Sequence, residues 1–449
     1  MTHPFSRLIA LTVTTLLLSA CASYGVIEND TIGTPVIESE YSVRNSAGGD
    51  DTPDLSLFLS FSGGGTRAAA MAYGVMLELR DTAVEINGEQ SRMLDQVDVI
   101  SSVSGGSFTS AYYGLYGDGM FETFEDVFLR YDIEQHLVRQ VLNPFHWFGR
   151  KGRTERAIEY YEKQVFHNAT FSDMKNPERP MIVINASDLA YGVRFSFIQE
   201  YFDLLCSDLN SYSVARAVTA SSAVPVVFNP VVLENYSDCS HVDLSWLDAL
   251  RRQAEEEEDP ELRLLATGLE SYEDKGQRKY IHFVDGGITD NIGLRAYYDV
   301  LTLSGGAEAF MDKVRKTRPS KVAMIAIDAS TAPVYEMDQT TRQPSIKDSI
   351  GAVSGVQLHR YNTATLELMQ VSLETWSEKL SVDGDPITPY FIEISIEEIQ
   401  QPEAREFFNK VPTSFSLTDE QVDRLIKAGR ELLRNHPNFQ QLLADLGQP

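Results

Sequence analysis

Leu-Ser-Leu-Phe-Leu-Ser-Phe-Ser-Gly-Gly-Gly-Thr-Arg-Ala-Ala-Ala-Met-Ala-Tyr-Gly, residues 55–74, decides how the rest of the chain is read. Leu55 to Phe61 is a short apolar run, Gly63, Gly64 and Gly65 follow, and Ala68 to Leu79 carries helix-forming residues. A run of that length that ends in glycines and feeds a helical pattern reads as strand, turn, helix. The same grammar recurs: Val97 to Ser101 is strand-like, Ser104-Gly105-Gly106 is turn-like, and Ser107 to Leu115 suits a helix. Met181 to Asn185, Tyr280 to Val284 and Lys321 to Ile327 add further β-branched or apolar runs with helical patterns between several of them. This alternation predicts a three-layer α/β domain with a central, mostly parallel sheet flanked by helices.

Working outward, Ser245 to Glu261 includes an acidic run at residues 255–259 and reads as a solvated helical insertion. Thr418-Asp419-Glu420-Gln421 is a capping box, with Leu417 and Val422 placed to staple it, so a C-terminal helix should run toward Asn435. His436-Pro437 ends that helix, and Phe439 to Leu446 provides a shorter one. The expected division is one large α/β domain over residues 55–400 and a helical extension over 401–449.

With 449 residues, of which 43% are hydrophobic, the chain can bury a full core. Lys plus Arg is 38 against 65 Asp plus Glu, a formal charge of −27, which is too acidic for the phosphate neutralisation that nucleic-acid binding needs. Nucleic acid is therefore not an expected partner.

The N-terminus has its own logic. Arg7, an apolar stretch from Leu8 to Leu18 and the small residues Ser19 and Ala20 make Met1 to Ala20 look like a secretory signal peptide. Leu18-Ser19-Ala20-Cys21 resembles the bacterial lipobox, whose cysteine is lipidated and becomes the first mature residue. Acyl chains add about 0.8 kcal/mol per buried methylene, so several on Cys21 would hold the protein at a membrane. Ala22 follows where an Asp would favour the inner membrane, so the expected location is a bacterial envelope, at the outer membrane. Residues 22–54 are polar and turn-rich and read as a flexible tether, whose 33 residues would reach roughly 30 Å.

Cys206 and Cys239 remain. An oxidising compartment would permit a disulfide between them, contributing roughly 3 to 4 kcal/mol by the loop-entropy model. Two buried free thiols is the other reading. No CxxC or HExxH spacing exists, so no metal or redox cofactor is expected.

Three segments carry possible chemistry. Gly63, Gly64, Gly65 and Arg67 lie between a strand and a helix, where exposed amides bind an anion or a developing oxyanion. The same residues fit G-x-G-x-x-A through Ala68, with Glu85 at the distance of a ribose ligand, so a dinucleotide site competes. Ser102-Val103-Ser104-Gly105-Gly106 is close to the nucleophile elbow G-x-S-x-G, with serine for the first glycine. Asp285-Gly286-Gly287 ends a buried strand with a carboxylate. An oxyanion nest, an elbow serine and a strand-end aspartate together point to acyl transfer.

At these motifs the chain resembles the patatin-like phospholipase family, in particular a bacterial lipoprotein branch. The resemblance runs from Leu55 through Ile327 and rests on Ser62 to Arg67, Ser102 to Gly106, Asp285 to Gly287, and Arg216 to Pro225, a helix and loop before a proline. It implies a patatin-like fold and a metal-free hydrolase of lipid acyl esters, of phospholipase A or lysophospholipase type. It also implies Ser104 as nucleophile, Asp285 as its dyad partner, and Gly63, Gly64, Gly65 and Arg67 as the oxyanion hole. Departures are Ser62, where plant members carry Asp, Ala68 for Gly, and Ser102 for Gly. A Ser-His-Asp triad is the rival, since His359 and His436 follow Asp285; His282 reads as a strand residue facing a helix. A catalytically silent envelope lipoprotein that binds or scaffolds is the alternative function. Arg139 to Arg156 combines Phe145, Trp147 and Phe148 with five cations and is expected to dock on lipid, or else to pack as an aromatic corner.

Overall fold

The computed structural model describes residues 24–33, 40–45, 54–86, 88–133, 152–225, 227–239, 242–256, 260–314, 318–332, 336–382 and 384–447. Residues 1–20, read above as a signal peptide, Cys21 and residues 139–151 of the aromatic–basic segment lie outside them.

Eight strands form the central sheet: β1 (Leu55–Phe61), β2 (Val97–Val103), β3 (Met181–Asp188), β4 (Arg194–Ser196), β5 (Val231–Glu234), β6 (Tyr280–Asp285), β7 (Lys321–Asp328) and β8 (Thr388–Ser395). Their order is β8-β7-β1-β2-β3-β6-β5, with β4 paired to β3. From β8 to β3 the pairing is parallel throughout. Every residue of β1 except the half-buried Phe58 is buried, as expected for a parallel strand covered on both faces.

The helices used below are α1 (Thr66–Asp81), α2 (Gly105–Tyr116), α3 (Arg153–Gln164), α4 (Val214–Ser221), α5 (Ser245–Glu256), α6 (Pro260–Glu270), α7 (Arg295–Leu303), α8 (Ala307–Val314), α9 (Ile346–Leu380), α10 (Asp419–Asn435) and α11 (Pro437–Asp445). No described helix is long and apolar enough to cross a membrane. On one face, Leu57, Leu59 and Phe61 pack into a core shared with α1, α2 and α10. On the other, Met324 and Ala326 pack with Met369, Leu373 and Trp376 of α9 and with Tyr297 of α7.

The capping box at Thr418 forms as read: Thr418 accepts from the Gln421 amide, and the Gln421 side chain accepts from the Thr418 amide. The helix it opens is no appendage. A Cβ on Gly74 would lie 2.2 Å from the Ile426 carbonyl oxygen, and one on Gly429 would lie 2.3 Å from that of Met71. Two glycines thus let the backbones of α1 and α10 touch, and α10 is part of the core. The insertion read over 245–261 is two helices, α5 and α6.

Two expectations need correction. Asp285 does sit at the end of its strand, but β6 runs antiparallel to β3, with Asp285 opposite Ala186. It therefore arrives from the opposite direction and stops level with the end of β2, where Val103 pairs with Asn185. Nor is the stretch before Leu55 wholly a tether. Asp30–Thr31 pairs with Ser207–Asp208, Asn29 donates to Ser207 and to the Glu234 carbonyl, and buried Tyr41 brackets the Ile182 backbone through its hydroxyl. These bonds satisfy polar groups at the rim of the sheet, so the free-chain reach does not apply. Cys206 and Cys239 are joined in a disulfide, with Cα atoms 5.0 Å apart.

Candidate active site

The parallel strands deliver their turns to one edge of the sheet. Between β2 and α2, Ser104 takes φ 50° and ψ −120°, a left-handed-side conformation that a side-chain-bearing residue adopts only when its surroundings hold it there. The surroundings are crowded. A Cβ on Gly105 would lie 2.0 Å from the Gly65 carbonyl oxygen, and one on Gly106 would lie 2.7 Å from that of Ser62. Both small residues are needed because the two glycine turns pack backbone to backbone. Ser102, in place of the elbow's first glycine, is accommodated by hydrogen bonds: its hydroxyl donates to the Val183 carbonyl (3.3 Å) and accepts from Ser110 (2.7 Å).

One short segment holds the whole pair of candidate groups. Ser221, the last residue of α4, accepts the Ser104 amide with its hydroxyl (2.8 Å) and donates to the Asn185 carbonyl (2.6 Å). Its own carbonyl accepts the Gly286 amide (3.0 Å), and that of Ala223 accepts the Asp285 amide (3.1 Å). The Arg216 to Pro225 stretch carried no assigned role in the sequence reading. Its role here is to hang Ser104 and Asp285 from a common support. Buried Arg216 fixes α4 in turn through Glu155 (2.7 Å) and Glu28 (3.0 Å).

Ser104 and Asp285 are both buried, at 5% and 8% exposure, and the Ser104 side chain lies close enough to the Asp285 carboxylate to favour its ionised form. The carboxylate also accepts the Gly287 amide at 2.8 Å. Burial pushes the Asp285 carboxyl up to about 6, and the Gly287 amide and the neighbouring Ser104 side chain oppose the rise only in part.

The triple-glycine turn lies beside them, and its four residues divide. Gly63 donates its amide to the Asn291 carbonyl (2.9 Å), so that amide is already spent. Gly64 and Gly65 take φ 138° and 62°, and among the described residues no acceptor engages their amides. The Gly105 amide is likewise without an acceptor among the described residues, and it follows the serine directly. Arg67 departs from the expected role. Its guanidinium donates to the Ala329 carbonyl (2.8 Å), the Val411 carbonyl (2.7 Å) and the Thr413 hydroxyl (3.0 Å), and burial lowers it to about 10. It ties the turn to the end of β7 and to the segment before α10. That segment also accepts the Thr66 amide at Ser414 (2.9 Å) and leaves no room for a Cβ on Gly65, which would lie 2.3 Å from the Ser414 carbonyl oxygen.

The rival readings find their residues elsewhere. His359 bonds the Thr331 carbonyl (2.8 Å), His436 caps α11, and His282 is exposed on β6 rather than facing a helix. Glu85 lies exposed in a separate hairpin, Ala83–Ile86 with Glu89–Arg92.

Residues 59–297, more than half of the chain, match the family model described as Patatin-like phospholipase, and the chain belongs to the patatin-like phospholipase family. No curated protein matches it. Among solved structures it is similar to human GIVD cytosolic phospholipase A2, at 11% identity and a TM-score of 0.42, over 90% of this chain and 64% of that one. The same human enzyme in complex with methyl gamma-linolenyl fluorophosphonate gives 12% identity and a TM-score of 0.39, over 91% and 62%. The chain thus spans less than two thirds of the length of these neighbours.

Proposed function

We propose that the chain is a lipid acyl-ester hydrolase that works through a Ser104–Asp285 dyad. The observation that carries the proposal is the placement of the Ser104 side chain beside a buried carboxylate, both hung from the end of α4, at a backbone turn held in a strained conformation. An ordinary carboxylate is a poor base for a hydroxyl, but one raised to about 6 is better matched to work near neutrality.

In the proposed cycle the Ser104 Oγ attacks the acyl carbonyl while its proton passes to Asp285. The oxyanion that forms is met by the amides of Gly64 and Gly65 just before α1 and of Gly105 at the N-terminus of α2, which have no other acceptor among the described residues. Collapse breaks the ester bond, and the leaving alkoxide takes the proton from Asp285. Water then adds to the acyl-Ser104 ester, with Asp285 accepting its proton and returning it to Ser104 as the fatty acid leaves. Arg67 acts by positioning the turn rather than by touching the oxyanion.

The anchoring part of the proposal rests on Leu18-Ser19-Ala20-Cys21. Lipidated Cys21 would place the domain at the outer membrane of a bacterial envelope, within reach of phospholipid or another acyl-ester lipid. Radiolabelled palmitate incorporation that disappears in Cys21→Ser tests it; incorporation that survives would discard the anchor.

Mass spectrometry of lipid products from mixed phospholipid vesicles tests the chemistry. Wild type should release fatty acid and lysolipid, and Ser104→Ala and Asp285→Asn should not. Product release surviving either substitution would contradict the dyad, and no release from any form would favour the silent lipoprotein.

A further inference from the structure

At the opposite edge of the sheet lies a cavity of about 140 Å³ that the dyad chemistry does not use. Its floor is the N-terminal halves of β1, β2, β3 and β7, and its walls are α7, α8 and the last turns of α9. Phe58, Met181, Val183, Phe310, Met324 and Trp376 give it almost wholly apolar surfaces. Along β2 its nearest lining residue, Ser101, is three positions from Ser104, about 10 Å of strand.

A polar layer closes it off from the active site. Ser60 donates to the Ile292 carbonyl, Ser101 donates to that of Gly293 (2.6 Å), and Asn185 donates to Ser101 (2.9 Å). Ser101 is part of the cavity wall, so this layer is its roof. The space is therefore not an arm of the site around Ser104.

Two observations mark it as more than loose packing. An apolar space of this size is large enough for a guest such as benzene, and half-buried Phe58, Phe310 and Trp376 in its lining leave it open for a chain to enter. Methionine side chains at Met181, Met311 and Met324 also give it an adaptable lining. The second observation is Ser377 of α9. It is 2% exposed, faces the cavity, and its hydroxyl has no hydrogen-bond partner among the described residues. A buried hydroxyl without a partner is costly, and a ligand oxygen would satisfy it. The charge of that oxygen follows from the lining, whose single charged side chain among the described residues is a carboxylate, Asp98 on the β2 floor, which accepts the Leu57 amide (3.0 Å), with no cation to pair an anionic head. An anionic head would be repelled there.

We propose that this cavity is a second lipid site, which takes a single unbranched hydrocarbon chain whose neutral oxygen function, a hydroxyl or an ester, bonds Ser377. The walls recognise the chain, and Ser377 with Asp98 selects a neutral head over a carboxylate.

The probe is 8-bromo-1-octanol, titrated into the full chain while tryptophan emission is read, because bromine quenches an indole that it touches and Trp376 is in the wall. The expected result is saturable quenching that vanishes in Trp376→Phe and is unchanged after a fluorophosphonate has blocked Ser104. Ser377→Leu, which removes the hydroxyl and fills the space, should raise half-saturation at least tenfold. Should that variant not fold, Ala296→Phe fills the cavity from α7 and should do the same. 8-Bromooctanoate at pH 8 should bind at least tenfold more weakly than the alcohol. Quenching that rises linearly without saturation, that the fluorophosphonate abolishes, that persists in the folded filling variant, or that the carboxylate matches would each overturn the proposal.

Discussion

The two ends of the central sheet are built on opposite terms. At the end where β1 and β2 finish, glycines replace side chains and backbones touch, and the amides of Ser104, Gly106, Asp285, Gly286 and Gly287 each have a partner while those of Gly64, Gly65 and Gly105 have none among the described residues. At the other end the same strands present Phe58 and Val99 to a cavity with one unbonded hydroxyl. Chemistry needs atoms fixed within a fraction of an ångström, whereas an apolar chain needs only volume. A substitution should therefore act through geometry at the first end and through volume at the second.

The largest effects are expected at the pair itself. Ser104→Ala and Asp285→Asn should each lower kcat on the order of 10⁴-fold, and the double variant should lose little more, because the two groups act as a unit. Steady-state kinetics on a soluble ester reads this, and additive losses would break the pairing. Next comes the glycine turn. Gly65→Ala, with φ 62° and a Cβ 2.3 Å from the Ser414 carbonyl oxygen, should cost about 100-fold in kcat by displacing the oxyanion donors. Gly88→Ala, at φ 82° but with open space around it, should leave kcat unchanged. Equal losses in the two would show that the crowding at Gly65 is irrelevant.

Ser221→Ala removes the acceptor of the Ser104 amide. It should destabilise the fold by about 1–3 kcal/mol and lower kcat roughly tenfold, measured by denaturant titration and kinetics. At the far end, Met324→Leu keeps volume and should cost less than about 1.5 kcal/mol with no change in kcat.

Acidity separates the ends as well. Asp285 must be ionised to take the Ser104 proton, so kcat/KM should rise with pH through a midpoint near 6 and fall away below it. Stability runs the other way. The folded carboxyl titrates at about 6 and the unfolded one at 3.8, so between those values the native state holds the extra proton and gains stability as pH falls. Asp285→Asn should then exceed wild type in stability at pH 7 by up to about 3 kcal/mol, with the gap closing as pH drops from about 6 to 4. A gap that widens on acidification would show that the carboxyl is not raised.

How much of this was legible in the sequence depends on whether the signal was local. Leu55–Phe61 ends where its apolar run ends, and the capping box at Thr418 opens α10, because both depend on neighbours in sequence. The direction of β6 was not legible, since strand orientation is set by the sheet and not by the run from Tyr280 to Asp285. Nor was the demotion of Arg67, whose acceptors at Ala329 and Val411 lie more than 250 residues away. Ser221 carried a faint cue as a serine at the end of a helix, but its bond to the Ser104 amide spans 117 positions. Asn29 and Tyr41 looked like linker residues for the same reason: their partners at Ser207 and Ile182 are distant in the chain.

The central claim is that Ser104 is activated by the buried carboxylate of Asp285. The rate of covalent labelling by a fluorophosphonate, followed from pH 4 to 9 with the modified residue located by tandem mass spectrometry, tests it most directly. The account predicts a single adduct on Ser104, a rate that rises through a midpoint near 6, and a slow, pH-flat reaction in Asp285→Asn. An adduct on another residue, or an undiminished rate in Asp285→Asn, would contradict it.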